Sequence, residues 1–394
     1  MNCIESYQKW LNVPDLPAYL KDELLSMDDK TKEDAFYTNL EFGTAGMRGY
    51  IGAGTNRINI YVVRQATEGL AKLVESKGET AKKAGVAIAY DSRHFSPEFA
   101  FESAQVLAAH GIKSYVFESL RPTPELSFAV RHLGAFAGIM VTASHTPAPF
   151  NGYKVYGSDG GQMLPADADA LTDYIRAIDN PFAVALADLE EAKSTGLIEV
   201  IGETLDADAL TDYIRAIDNP FAVALADLEE AKSTGLIEVI GETLDAAYLE
   251  EVKSVNINQD LIDQYGRDMK IVYTPLHGTG EMLARRALAQ AGFESVQVVE
   301  AQAKPAPDFS TVASPNPESQ AAFALAEELG RQVDADVLVA TDPDADRLGV
   351  EIRQADGSYW NLSGNQIGAL IAKYILEAHK QAGNSQRMLH WQNQ

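Results

Sequence analysis

Short apolar runs alternate along this chain with segments of helical spacing, and this alternation constrains the fold more than any other feature. A strand followed by a polar loop is predicted in "AGVAIAYDSR", "IKSYVFE", "FAGIMVTAS", "MKIVYTPLHG" and "ADVLVATDPD". Ser96 before Pro97 predicts the N-cap of a helix that runs to Gly111. The pattern predicts an α/β protein with mixed or parallel sheets flanked by helices. Ligands bind such sheets beyond the carboxyl ends of the strands.

One long segment occurs twice, letter for letter, at residues 167–207 and 206–246, with a period of 39 residues. Solenoid repeats vary at exposed positions and come in longer arrays, so we interpret this repeat as either a recent tandem duplication or an accident of sequence assembly. Each copy predicts a helix over "LTDYIRAI", a second helix over "FAVALADLEEAKSTG" and a strand over "LIEVIG". One copy is predicted to be redundant, so removing residues 167–205 should leave a more stable core.

Length and composition narrow the class of protein. A chain of 394 residues predicts two or three domains. Its formal charge of −25 argues against partners such as nucleic acid or an anionic membrane surface. The single cysteine, Cys3, has no internal partner for a disulfide, and the start of the chain lacks a secretion pattern. With no apolar run of membrane-spanning length, a cytoplasmic protein is expected.

The stretch "VTASHTPAPFNGYK" places Ser144 directly after a predicted strand. Pro147 and Pro149 prevent regular backbone pairing in the following loop, and an Asn-Gly turn is expected before Lys154. Ser144 is either a turn serine bonded to nearby backbone or a nucleophile on a stiff loop. A covalent role needs an activating partner, for which His145 and Lys154 are the candidates.

A second motif, "TDPDADR", follows the predicted strand "VLVA" and alternates Asp342, Asp344 and Asp346. An EF-hand is excluded because its sixth and twelfth positions hold Arg347 and Arg353, where that loop needs glycine and glutamate. The three carboxylates either point separately into solvent or converge on a cation. Magnesium is the ion most compatible with a few protein oxygens and a phosphate.

Two further loops carry weaker signals. "EFGTAGMRG" combines three glycines with Arg48, which suits close approach of the backbone to a phosphate. "TPLHGTG" has the composition of a turn at a strand end, and His277 fits a packing role as well as a ligand contact.

Taken in order, "GTAGMRG", "TASHTP" followed by "NGYK", and "DPDADR" resemble the phosphohexomutases, in particular the phosphoglucomutase branch. The likeness extends from about residue 30 to about residue 375. It implies a four-domain α/β isomerase that interconverts glucose 1-phosphate and glucose 6-phosphate. The reaction would pass through a phosphoserine and a glucose 1,6-bisphosphate intermediate, with Mg²⁺ as cofactor and a hexose phosphate as the partner.

The resemblance also implies a role for each motif residue. Ser144 would be the phosphoserine, and one of its phosphate oxygens would join the Mg²⁺ ligands Asp342, Asp344 and Asp346. Lys154 would act as general acid or base and His145 would line the site. The residues expected to bind substrate phosphate are Arg48, Ser144, Asp346 and Arg347.

The sequence departs from the family pattern at Thr146, where asparagine is usual, and near the end of the chain. The family's sugar-discriminating loop and its fourth-domain phosphate clamp have no counterpart here. We therefore expect domains at 1–205, 206–350 and 351–394, with the third incomplete and the fourth absent. Two alternatives stay open: a catalytically impaired remnant that keeps the phosphoserine loop and the metal site but cannot hold a sugar phosphate in either orientation, or a mutase for mannose or pentose phosphates.

Overall fold

The computed structural model describes residues 3–43, 46–201 and 241–381. The chain forms two compact units. Unit 1 comprises Met1–Ala143 and Ala148–Asp245, and unit 2 comprises Ser144–Pro147 and Ala246–Gln394. The segment that holds Ser144 thus belongs to unit 2, although the residues on either side of it belong to unit 1. The division into three domains made from the sequence stays a prediction.

Unit 1 combines a helical N-terminal region with a mixed β-sheet. Its helices are α1 Cys3–Leu11, α2 Ala18–Ser26, α3 Asp29–Phe36, α4 Ile60–Ser76, α5 Glu79–Ala84, α6 Ser96–Ala109, α7 Thr123–Leu133, α8 Pro165–Arg176 and α9 Leu189–Ser194, with a 3₁₀ turn at Pro181–Ala183. Its strands are β1 Met47–Tyr50, β2 Val86–Tyr90, β3 Ser114–Phe117, β4 Ala137–Val141, β5 Phe150–Tyr156 and β6 Ile198–Ile201. Helix α10, Gly241–Lys253, contains the boundary between the units.

The sheet of unit 1 has the strand order β1-β5-β4-β2-β3-β6. Strands β4, β2, β3 and β6 run parallel, whereas β5 is antiparallel to both β4 and β1. β2 and β4 are apolar throughout and every residue in them is buried, as expected of parallel strands covered on both faces. The predicted α/β architecture is therefore confirmed in this unit.

The first copy of the repeat supplies α8, α9 and β6, and β6 is the sheet's edge strand beside β3. The predicted start of the copy's second helix is wrong: the helix was expected from Phe182, but α9 begins at Leu189. Pro181 lies in a 3₁₀ turn, and the carboxylate of Asp188 caps α9 by accepting from Glu191 N at 2.9 Å. Residues 206–240 of the second copy lie outside the described residues.

Ser96 does not act as the N-cap that its position before Pro97 predicts. It is the first residue of α6, and Phe95 precedes it in a left-handed conformation with φ 64°. The Ser96 hydroxyl donates to Asp91 Oδ1 at 2.8 Å, so a buried carboxylate takes the hydroxyl away from the helix backbone.

Unit 2 is a second α/β layer. Its remaining helices are α11 Gln259–Tyr265, α12 Glu281–Ala291, α13 Glu300–Ala303, α14 Ala324–Val333 and α15 Gly364–Gln381, with a 3₁₀ turn at Gln320–Phe323. Its strands are β7 Ile271–Thr274, β8 Val296–Val298, β9 Val337–Thr341, β10 Leu348–Arg353 and β11 Tyr359–Leu362, in the order β11-β10-β9-β7-β8. β9, β7 and β8 are parallel, so the loops after β7 and β9 leave the same edge of the sheet.

Each unit has its own apolar core. Trp10 in unit 1 makes edge-to-face contacts with Phe36, Tyr61 and Phe182 and thereby fixes the N-terminal helices. In unit 2, Phe323 of the 3₁₀ turn and Leu338 of β9 are fully buried in one apolar cluster. Among the described helices, none combines the length and apolarity needed to cross a membrane.

Candidate functional site

Ser144 lies in a strained backbone conformation within unit 2. Its φ of 52° is in the left-handed region, which is uncommon for a residue other than glycine and is often found at functional sites. The Ser144 hydroxyl donates to Asp342 Oδ2 at 2.6 Å, and Ser144 Oγ lies 3.2 Å from His145 Nδ1. The structure therefore joins two motifs that are 198 residues apart in the chain.

The loop after β9 brings the three predicted metal ligands together. One carboxylate oxygen from each of Asp342, Asp344 and Asp346 lies within 4.8 Å of the others. Asp342 and Asp344 are buried and Asp346 is exposed. A turn at Ala345, with φ 52°, allows the alternate side chains to converge, and Ala345 N donates to Asp342 O at 2.9 Å.

Electrostatics at this loop favour a cation. Burial raises the pKa of Asp342, and the carboxylates of Asp344 and Asp346 raise it further, while the hydrogen bond from Ser144 lowers it. A divalent cation would relieve that repulsion, and three carboxylate oxygens are the hard donors that Mg²⁺ prefers. The donor set therefore fits the predicted metal.

Arg347 closes the loop next to the aspartates. Its backbone N donates to Asp342 Oδ1 at 3.1 Å, and its Nε lies 4.0 Å from Asp342 Oδ2. The guanidinium Nη1 lies 3.8 Å from Glu318 Oε1 and the side chain is 42% exposed. A half-exposed guanidinium in this position is available to an anionic ligand.

A third loop next to the serine and metal loops, "SPNPE" at residues 314–318, was not predicted from the sequence. The Ser314 hydroxyl donates to His145 O at 2.7 Å, so this loop supports the serine loop, and Glu318 is the ion-pair partner of Arg347. The sequence feature that could have identified this loop is its pair of prolines within five residues, since the loop of Ser144 has the same feature.

The other two predicted site residues, Arg48 and Lys154, belong to unit 1. Exposed Arg48 lies on β1, opposite Gly152 of the neighbouring strand β5. Lys154 lies within β5, opposite Met140 of β4. In the glycine-rich motif before Arg48, residues 44 and 45 lie outside the described residues.

The predicted Asn-Gly turn before Lys154 is wrong. Asn151 and Gly152 are inside β5, where the buried Asn151 amide donates to His94 O and to Ser96 Oγ, each at 2.9 Å. A Cβ on Gly152 would lie 2.4 Å from Thr142 O. Close strand packing, rather than turn geometry, therefore requires this glycine.

A buried polar network precedes the serine loop in sequence and was also missed. The Thr142 hydroxyl donates to Asp91 Oδ2 at 2.6 Å, and Arg93 Nε lies 3.2 Å from the same oxygen. Asp91 and Arg93 are both buried. The sequence feature that indicates this network is a pair of opposite charges directly after the apolar strand β2, because an unpaired charge buried there would be costly.

Comparisons with known proteins agree with the motifs. A family model described as phosphoglucomutase/phosphomannomutase, alpha/beta/alpha domain I, matches residues 39–182, and the corresponding domain II model matches residues 246–355. The second match begins where the duplicated segment ends.

Similar curated proteins and solved structures were found as well. The phosphoglucomutase of Staphylococcus epidermidis is 36% identical over 369 residues, which is 93% of this chain and 58% of that protein. The phosphoglucomutase of Staphylococcus haemolyticus is 37% identical over 88% of this chain and 54% of its own length. This chain thus spans a little over half the length of these relatives.

Among solved structures, one described as a phosphomannomutase of Thermus thermophilus superposes with a TM-score of 0.57 at 25% identity, covering 82% of this chain and 59% of that one. A phosphoglucomutase from Paramecium, parafusin, superposes with a TM-score of 0.55 at 17% identity, covering 81% of this chain and 53% of that one. The second likeness concerns the fold alone.

Proposed function

Because the chain belongs to the phosphoglucomutase/phosphomannomutase family, we propose that it carries a phosphoryl group on Ser144 and transfers it to and from a hexose monophosphate. The observation that carries the proposal is the 2.6 Å hydrogen bond from Ser144 Oγ to Asp342 Oδ2, beside two further carboxylates. The reaction is the isomerisation of glucose 1-phosphate and glucose 6-phosphate through glucose 1,6-bisphosphate.

The chemistry consists of two transfers. In the first, the bond between Ser144 Oγ and phosphorus breaks as a free sugar hydroxyl forms a bond to that phosphorus, and the hydroxyl proton goes to a base. In the second, Ser144 Oγ takes the other phosphate of the bisphosphate, and the released sugar oxygen regains a proton. Positioning and charge neutralisation dominate such transfers.

Asp342, Asp344 and Asp346 would hold Mg²⁺, and the ion would neutralise charge on the transferred phosphoryl group. The Ser144 hydroxyl lies 2.6 Å from Asp342 Oδ2, so the oxygen that would carry the phosphoryl group is next to the carboxylates that would hold the ion. Arg347, with its half-exposed guanidinium, would orient the phosphoryl oxygens.

We assign the remaining roles by the same resemblance. Lys154 would move the proton of the sugar hydroxyl, Arg48 would bind substrate phosphate, and His145 would line the site near Ser144 Oγ. Asp346, as the exposed carboxylate, would face both the metal and the substrate. We propose a cytoplasmic location, in keeping with the near absence of cysteine.

The test is incubation of the whole chain with glucose 1,6-bisphosphate and Mg²⁺, followed by mass spectrometry of residue 144 and a coupled assay for glucose 6-phosphate. We expect phosphate on Ser144 and turnover of glucose 1-phosphate. Mannose and pentose 1-phosphates assayed in parallel would identify a different sugar preference.

Ser144→Ala should abolish labelling. The matched control is Ser254→Ala, because Ser254 is an exposed helix-end serine whose hydroxyl donates to Glu251 O, and it should label as the parent does. Label without turnover would restrict the chain to the half-reaction. A folded protein that takes no label would refute the proposal.

A further inference from the structure

We propose that the loop "TPLHGTG", residues 274–280, is the scaffold that shapes the metal-binding loop, with Thr279 and Gly278 as its positioning residues. This inference rests on the proposed function, since it concerns the Asp342, Asp344 and Asp346 site. It assigns a role to a motif that the proposed chemistry does not use.

Thr279 contacts the metal loop twice. Its backbone N donates to Pro343 O at 2.8 Å and its hydroxyl donates to the same oxygen at 2.9 Å. Pro343 separates Asp342 from Asp344, so this carbonyl lies between two of the ligands. Thr279 is 4% exposed, and a hydrogen bond at that depth is shielded from competing water.

Gly278 and Gly280 allow the two loops to approach closely. A Cβ on Gly278 would lie 2.4 Å from Pro343 Cα and 2.6 Å from Pro343 O, both backbone atoms. A Cβ on Gly280 would lie 2.8 Å from Thr341 Oγ1 and 3.4 Å from Ala345 Cβ. A larger residue at position 278 would displace the backbone of Pro343 between two of the ligands, whereas one at position 280 would press on side chains of Tyr273, Thr341 and Ala345.

The scaffold itself is held in a strained shape. Leu276 and His277 are consecutive residues other than glycine with positive φ, 47° and 62°. His277 N donates to Gln302 O at 3.0 Å, and His277 Nε2 lies 2.9 Å from Thr311 Oγ1. These contacts support the packing role for His277, and they fix the turn that delivers Gly278 and Thr279 to Pro343.

Sheet topology explains the pairing of the loops. β7 and β9 are parallel neighbours, with Thr274 opposite Ala340, so the loops that follow them leave the same sheet edge side by side. Residues that orient metal ligands through hydrogen bonds commonly change metal affinity by about 10- to 100-fold when they are replaced. Thr279 fulfils that condition through the backbone of the ligand loop.

The experiment measures Mg²⁺ affinity by calorimetry, and by Mn²⁺ displacement in electron paramagnetic resonance, on the whole chain. Thr279→Val should weaken binding by about 10-fold, the low end of that range, because the backbone N of residue 279 still donates to Pro343 O, and Thr279→Ser, which keeps the hydroxyl, should restore the affinity. Gly278→Ala should weaken binding by about 10-fold or more, whereas Gly368→Ala, at a position with nothing within 4 Å of its Cβ, should not.

The outcomes separate two failures. If the parent chain binds Mg²⁺ and all variants bind equally, the scaffold inference alone is overturned. If the parent chain binds no Mg²⁺, the metal assignment fails and the inference fails with it. Should Gly278→Ala not fold, Thr279→Val and its rescue by Thr279→Ser decide the matter.

Discussion

Asp342, which is hydrogen-bonded to Ser144, is suited to metal binding but unfavourable for the stability of the metal-free protein. The aspartate accepts a hydrogen bond from the serine and lies beside two other carboxylates, in a place where its own charge is poorly solvated. Burial and the neighbouring Asp344 and Asp346 raise the pKa of Asp342 to about 8. A group suited to a metal thus weakens the metal-free fold.

Asp342→Asn should raise the free energy of unfolding of the metal-free protein, and Mg²⁺ should no longer stabilise the variant. Between about pH 4 and about pH 8 the unfolded chain ionises Asp342 while the folded chain keeps the proton, so metal-free stability falls as pH rises across that window. Urea unfolding in EDTA at pH 8 should show a gain on the order of 1–3 kcal/mol. Asp346→Asn, at the exposed carboxylate, should gain less stability. An Asp342→Asn protein that is less stable than the parent in EDTA would contradict the prediction.

Glu351 is a second buried carboxylate, outside the candidate site. Asn361 Nδ2 donates to its Oε1 at 3.1 Å, but its Oε2 accepts no hydrogen bond from the described residues. Burial raises the pKa of Glu351 to about 7, so stability should fall between about pH 4.5 and pH 7.

Glu351→Gln should therefore be nearly neutral at pH 4 and stabilise the protein by about 1 kcal/mol or more at pH 8. Urea unfolding at both pH values measures the difference. The control is Glu328→Gln, because Glu328 is an exposed carboxylate on α14 and surface substitutions of this kind change stability by about 0.5 kcal/mol or less. Equal effects of Glu351→Gln at the two pH values would exclude this explanation.

At the scale of elements, local sequence patterns predict the helix and strand of the duplicated segment, but they do not predict which copy packs against the rest of unit 1. The helix and strand of a copy follow from local apolar spacing, and α8 and β6 confirm them. The two copies are identical, however, so no local pattern distinguishes them. Contacts with the rest of unit 1 distinguish the two copies. The first copy supplies β6, whereas Asp245 at the end of the second copy pairs with the Arg121 guanidinium.

Asp245→Ala should be strongly destabilising. Arg121 donates to both carboxylate oxygens of Asp245, at 3.0 and 3.2 Å, and both side chains are buried. Removing the carboxylate should cost about 3 kcal/mol, because it leaves a buried guanidinium under-compensated beside Glu125. Thermal unfolding measures the loss.

Asp206→Ala is the matched control, since Asp206 holds the same position in the other copy. We expect that variant to unfold like the parent. Equal destabilisation by both substitutions would mean that the Arg121 pairing does not distinguish the copies.

At the scale of the whole molecule, each unit is built around its own β-sheet, and both copies of the duplicated segment contribute contacts to unit 1. In the sequence, Gly202 follows Ile201, and Gly241 is the residue equivalent to Gly202 one repeat period later. Glu118 N donates to Ile201 O at 2.6 Å, and Arg121 holds Asp245. Strand β6 of the first copy and Asp245 at the end of the second copy thus contact the same short segment before α7.

Deleting residues 202–240 joins Ile201 to Gly241 and yields the same polypeptide as deleting residues 167–205, because the copies are identical. We expect the shortened chain to be as stable as the parent or more stable, by at most about 3 kcal/mol, the chain-entropy cost of closing a loop of that length. Calorimetry measures the change, and a lower melting temperature would refute the redundancy of one copy.

The sequence by itself determined the layer type, the main strands and the metal motif, because these depend on residues a few positions apart. "VAIAY" and "VLVAT" are strands in almost any context that buries them, and alternate aspartates in one loop need only a turn to converge. Only the tertiary structure decided that Asn151 and Gly152 belong to a strand, that Ser314 supports the serine loop, and that Thr279 reaches Pro343. These contacts join residues that sequence spacing does not relate, and they are fixed by which strands pair and how closely their loops pack.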